Sequence, residues 1–176
     1  MHIRTPTRGA RGARSFPALV ALVGLALLAG PLQAAERLQL RFVQPEQFAD
    51  IGRNSVDREQ NLRYLRQHVD RLGQGLPSGQ RLEIEVLDVD LAGEVWPFAR
   101  HEVRVLRGGA DGPHIHLRYT LRADDTLLAQ GEERLSDLGY LFTRQRALVH
   151  RPLPYEQRML DAWFRQRFPA PTAAAR

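Results

Sequence analysis

Asp88 and Asp90 stand two apart in the segment Asp88-Val89-Asp90-Leu91-Ala92-Gly93-Glu94, the richest source of chemistry in this chain. Paired carboxylates bind divalent cations or divide acid and base roles between them. An Asp-x-Asp with a glycine three residues on begins like a calcium loop, but the later ligands are missing here. The structural alternative, which we favour, is Asp–Arg pairing between strands with Gly93 turning the chain. His114 and His116 are also two apart, so in a strand they share one face. With a carboxylate from a neighbouring strand they have the ligand types for zinc. Arg118 and Arg122 fall on that same face and repel a cation, so we expect an ordinary polar sheet face, no metal and no other cofactor. Ser136, Asp137 and His150 supply the residue types of a hydrolytic triad, but no Gly-x-Ser-x-Gly elbow surrounds the serine. Ser136 reads instead as the cap of a helix over residues 138–145. Trp96, beside Pro97, reads as an exposed aromatic contact in a loop. His68 reads as solvated, and His101 as a hydrogen-bonded residue at a sheet end.

Composition removes whole classes of chemistry. There is no cysteine, so disulfides, thiol nucleophiles, thiolate metal sites and an acylated N-terminal cysteine are all excluded. Every basic residue is arginine, which excludes Schiff-base or general-base lysine chemistry. The formal charge of +5 misleads. Four of the 25 basic residues, Arg4, Arg8, Arg11 and Arg14, lie in an acid-free N-terminal stretch, while all 20 acidic residues lie beyond it. The remainder is close to neutral and lacks the basic footprint of a nucleic-acid binder. After those arginines comes an unbroken small and apolar run over residues 18–30, then Pro-Leu-Gln-Ala-Ala. A basic start, a short apolar middle and a small-residue exit read as a secretory signal peptide over residues 1–35, cleaved near Ala34 or Ala35. The run is too short to span a bilayer comfortably, and no transmembrane segment is expected in the mature chain.

The elements that must position the candidate residues follow from periodicity. Leu38, Leu40 and Phe42 alternate with Gln39 and Arg41, predicting a half-buried strand over residues 37–43. Asp57 and Gln60 resemble a capping box. They open a helix whose apolar stripe is Leu62, Leu65, Val69, Leu72 and Leu76, stopped by Gly73, Gly75 and Pro77. Strand-like alternation recurs at Leu82, Ile84 and Val86, at Val103 and Val105, and at Ile115, Leu117, Tyr119 and Leu121, then more weakly over residues 126–135. Turn-rich connectors predict an antiparallel meander. A regular strand would carry Asp88 and Asp90 onto the apolar face of Leu82, Ile84 and Val86, an expensive burial. A bulge near Val86 and Leu87 removes the conflict by turning Leu87, Val89 and Leu91 inward. A second helix is predicted over residues 154–168, with Tyr155, Met159, Leu160, Trp163 and Phe164 on its apolar face and Asp161 pairing with Arg165 outside. Residues 169–176 read as a disordered tail. The whole is one α+β domain over residues 36–168: an antiparallel sheet of four to five strands with two helices on one face, in the order β-α-β-β-β-β-α.

Four motifs in this order carry a resemblance: Phe42-Val43-Gln44-Pro45-Glu46-Gln47-Phe48-Ala49-Asp50, Asp88-Val89-Asp90-Leu91-Ala92-Gly93, Ser136-Asp137-Leu138-Gly139-Tyr140, and Tyr155-Glu156-Gln157-Arg158-Met159-Leu160-Asp161-Ala162-Trp163-Phe164. The chain resembles the bacterial family called domain of unknown function 3016. The resemblance implies a small exported protein of Gram-negative bacteria with no established activity and no functional residues to carry over. The favoured expectation is a non-enzymatic periplasmic binding or accessory module, with an envelope protein as partner. It would act through the sheet's outer face, with Arg104, Arg118 and Arg122, or through the Trp96 loop. The alternative is a small metal- or carboxylate-dependent hydrolase using Asp88, Asp90, His114 and His116. A third reading is a carrier of an apolar ligand between sheet and helices, which needs a cavity.

Overall fold

Alternation of apolar and polar residues sets the first strand, β1 (Leu38–Phe42), in which Leu38 and Leu40 are buried and Gln39 and Arg41 exposed. The computed structural model describes residues 37–96, 103–142 and 151–169. The expected signal peptide over residues 1–35, and with it Pro97, His101, Glu102, His150 and the tail beyond Pro169, lie outside these residues. Helix α1 (Ser55–Gly73) starts earlier than the Asp57 box predicts. Its cap is Asn54, whose Oδ1 accepts the Asp57 amide proton at 2.9 Å. With 19 residues, α1 carries the chain back by roughly 28 Å, so the next strand starts at the same end as β1. Hence β2 (Gln80–Asp90) pairs with β1 in parallel, and the sheet is mixed where an antiparallel one was expected.

The chain then makes a small hairpin, β3 (Glu94–Trp96) and β4 (Val103–Val105), which forms its own two-stranded sheet. Val103 and Val105 therefore do not join the main sheet. Their place beside β2 is taken by the longer β5 (His114–Ala123), which pairs with β2 along almost its whole length. A three-residue strand cannot compete with that ladder. Finally β6 (Thr126–Ser136) closes the order β1-β2-β5-β6, and α2 (Pro154–Arg167) follows. Ser136 is the last residue of β6, opposite His114, and not a helix cap. The turn that follows is held by Asp137, whose Oδ1 accepts the Gly139 amide proton at 3.1 Å.

The α+β class and the element order are as expected, and both helices bury one stripe each against the same sheet face. Leu65 and Val69 of α1 and Met159, Leu160, Trp163 and Phe164 of α2 form one core with Leu82, Ile84, Val86, Leu117 and Tyr119. Each such buried side chain contributes about 2 kcal/mol of hydrophobic stabilisation. The bulge falls where the pattern demanded it, between Val86 and Asp88. Val89 and Leu91 are buried beyond it, while Leu87, Asp88 and Asp90 are half-buried. Tyr119 lies edge-on to Trp163 and Phe168, with ring centroids 5.9 and 5.5 Å away. Its ring also covers Gly131 of β6, where a Cβ would stand 3.0 Å from the ring edge.

His68 corrects the sequence reading: it is 4% exposed, wedged between the helices. Its Nε2 lies 2.9 Å from Oδ1 of Asp161, and its Nδ1 lies 3.1 Å from Nη2 of Arg71. Arginine only donates, so Nδ1 accepts and the ring proton sits on Nε2, facing Asp161. Asp161 thus pairs inward with His68 and not outward with Arg165.

Candidate functional site

With both helices on one face, the other face of the sheet carries the polar residues of every strand. Register sets Arg41 of β1 against Glu85 of β2, Glu85 against Arg118 of β5, and Arg118 against Glu132 of β6. This is one row of alternating charge across four strands. Arg41 pairs with Glu85. Arg118 spans 3.2 Å to Glu85 and 3.1 Å to Glu132, and His116 Nε2 lies 2.9 Å from Glu132. Arg118 and, after it, His116 hold the Glu132 carboxyl below its ordinary range. The row is satisfied internally, so Arg118 is not a charge awaiting a partner. Arg122 sits at the sheet end, exposed and directly opposite Arg81.

The next two rows bring together the four residues singled out for hydrolysis. Asp88 stands opposite His116, and Asp90 opposite His114. Asp88 and His116 are committed elsewhere, whereas Nδ1 of His114 is buried with no hydrogen-bond partner among the described residues. Asp88 Oδ1 accepts the Ala49 amide proton at 2.8 Å, and His116 is held by Glu132. Asp90 lies beside Asp50, and partial burial, then that neighbouring carboxylate, raise its pKa. Among the described residues no three His, Asp or Glu side chains form a group able to hold a metal ion.

Arg104 is not on the outer face. From β4 it reaches under the hairpin, 2.8 Å from Oδ2 of Asp50, and its Nη1 donates to the Gly93 carbonyl at 2.8 Å. Gly93 turns the chain at φ 79°, and its N–H donates to the Asp111 carbonyl at 2.8 Å. A Cβ there would meet the Val105 carbonyl oxygen at 2.6 Å. Arg104 and Gly93 therefore fasten the hairpin to the sheet.

That fastening leaves an apolar end. Trp96 and Val103 are cross-strand partners, 47% and 51% exposed, and Arg107 stacks over the Trp96 ring at 5.3 Å. Trp96 was expected in a loop; it is exposed as expected but ends β3. Beside the hairpin runs the turn after β6. Tyr140, fully buried, anchors it by donating to Oδ1 of Asp111 at 2.8 Å and accepting the Gly108 amide proton at 3.3 Å. Burial, then the bond to Asp111, pushes the Tyr140 hydroxyl up to about 12. Leu106 of the hairpin and Leu138, Leu141 and Phe142 of the turn are exposed.

A family model described as a protein of unknown function (DUF3016) matches residues 36–166. The chain belongs to this family. No curated protein and no solved structure matches it. The DUF3016 match runs from just before β1 into the last turn of α2, so it takes in the hairpin and its clamp. Among the described residues no helix is long and apolar enough to cross a membrane.

Sequence reasoning missed several residues of this DUF3016 domain. Glu156 is 2% exposed, and its Oε1 accepts the Ala92 amide proton at 2.8 Å. Burial raises its pKa. The signal was its phase: Glu156 lies three and four residues before Met159 and Leu160, on the apolar stripe of α2. Asp50 and Tyr140 carried no such signal, because their partners are distant in sequence. The space between sheet and helices is a void of about 10 Å³ lined by Leu40, Leu65, Ile84 and Leu160 among others. That is less than a water molecule needs, so the described core has no room for an apolar cargo.

Proposed function

We propose that this chain is an exported, non-enzymatic accessory module of the cell envelope that holds a partner protein against the apolar end of its hairpin. The supporting observation is the exposure of Trp96, Val103, Leu106, Leu138, Leu141 and Phe142 on two segments joined through Tyr140. Grouped large apolar side chains on a surface are contact sites, and aromatic residues with a rim arginine are the usual anchors. Of the four side chains a hydrolase would use, Asp88 is held by the Ala49 amide and His116 by Glu132. The basic and then apolar leader over residues 1–35 supports export to the periplasm.

The test is capture from chemically cross-linked envelope by a C-terminally tagged chain. One near-stoichiometric partner, lost on Trp96→Glu or Phe142→Glu and kept on Arg118→Ala, is the expected result. Equal capture by all variants, or none by wild type, overturns the reading. Cell fractionation and N-terminal sequencing should place the chain in the periplasm with a terminus next to Ala34 or Ala35; a full-length cytoplasmic chain would sink the export proposal.

A further inference from the structure

β6 is the last strand of the sheet, eleven residues long and without proline, so one row of its N–H and C=O groups has no strand beside it among the described residues. Alongside it lies a groove of about 630 Å³, bounded by Glu133–Ser136 of β6 with Asp137 just beyond it, and by Arg158, Ala162, Trp163 and Arg165 of α2. Side chains of a strand alternate between faces. Four consecutive strand residues line one groove only where it follows the strand's edge. The groove therefore offers main-chain groups on one wall and helix side chains on the other.

Its charge is positive once internal pairs are counted. Glu133 is held by Arg167 at 2.8 Å and Asp137 by Arg158. Arg134 and Arg165 form no ion pair with a described residue. Two further donors are short of acceptors: Nη1 of Arg158 and Nε1 of Trp163 are buried with no hydrogen-bond partner among the described residues. Trp163 is 6% exposed. The acceptor Oε1 of Glu133, on the same groove and ion-paired with Arg167, likewise makes no hydrogen bond, so it is the unpaired Arg134 and Arg165 that give the groove its preference for acidic groups.

We infer that this groove takes an extended acidic segment of a partner protein, added as a further strand to the edge of β6. Such strand addition draws affinity from main-chain hydrogen bonds and specificity from the flanking pockets. About five residues of the guest, roughly 17 Å, fit beside residues 133–137. Carboxylates of the guest meet Arg134 and Arg165. The groove meets the turn of the hairpin end at Asp137 and Arg158, so variants at Trp96 and Ala162 are used to tell the two sites apart.

The probe is a blocked decapeptide of alternating glutamate and valine, titrated into the processed chain purified from expressing cells. Two controls have the same length: lysine for glutamate, and proline for valine, which keeps the charge but cannot add a strand. Calorimetry should give binding by the glutamate–valine peptide alone, with slowed amide exchange in β6. Arg134→Glu with Arg165→Glu should weaken it by at least about tenfold. Ala162→Trp, which fills the groove at an exposed helix position, should abolish it, and Trp96→Ala should leave it unchanged. No binding at millimolar peptide, equal binding of the proline control, or indifference to both groove variants overturns the proposal. Self-association of the chain that Ala162→Trp abolishes also overturns it, by making a second copy the occupant.

Discussion

Glu156 and His68 show how single buried groups tune this protein. Glu156 has its pKa raised by burial from an ordinary value of 4.5. As pH rises through 4.5, the unfolded chain releases a proton that the folded chain keeps, so Glu156 costs stability above that value. Glu156→Gln keeps an acceptor for Ala92 and removes the charge. It should raise Tm by several degrees at neutral pH, with the gain vanishing as pH falls below 4.5 in a thermal melt series. His68 has the opposite sense. Burial lowers its pKa from 6.5, against the pull of Asp161 and with the help of Arg71. As pH falls through 6.5, the unfolded chain takes up a proton that the folded ring accepts only at lower pH, so stability falls over that window. Urea melts across mildly acidic pH should show this slope in wild type and lose it in His68→Gln; an unchanged slope would contradict the assignment. Glu156 sits in helical phase with Met159 and Leu160, a signal that sequence reasoning passed over. His68 carried no such signal, because its cover comes from α2, nearly a hundred residues later.

At the scale of elements, the hairpin is the part most dependent on a few contacts. Gly93→Ala should cost about 1–2 kcal/mol for the left-handed backbone, and more for the collision with Val105. Tyr140→Phe removes the acceptor of the Gly108 amide and should cost about 1 kcal/mol. Amide exchange should show β3 and β4 opening in both variants while β2 and β5 stay protected. Loss of protection throughout would mean that the hairpin is no separate unit. By contrast, the charged row on the sheet is half exposed. A double-mutant cycle on Glu85 and Arg118 should return about 0.2–1 kcal/mol, reduced by salt. The strands and helices were legible where apolar residues recur with period two or with helical spacing. Val103 and Val105 show the limit: alternation identified a strand but could not name its neighbour, since pairing is settled by competition among all the strands.

For the whole molecule, sequence and tertiary structure divide the work cleanly. Apolar phase in the chain determined the α+β class, the order of elements, the two helix stripes and even the bulge at Leu87, because an unpaired carboxylate cannot continue an apolar strand face. Four ordered motifs were enough to point to the family. The absence of cysteine and lysine settled which chemistry the chain lacks. Only the tertiary structure decided what the charged residues do. Arg104 and Arg118 looked alike in sequence, yet one clamps a hairpin and the other completes a ladder. Asp88 and Asp90 met the two histidines as neighbouring strands came into register, and in the same step Ala49 claimed Asp88 and Glu132 claimed His116. Local periodicity depends on residues a few positions apart and survives in the linear sequence. Ion pairs, open edges and grooves depend on residues tens of positions apart, which become neighbours only when the sheet and helices close on one core.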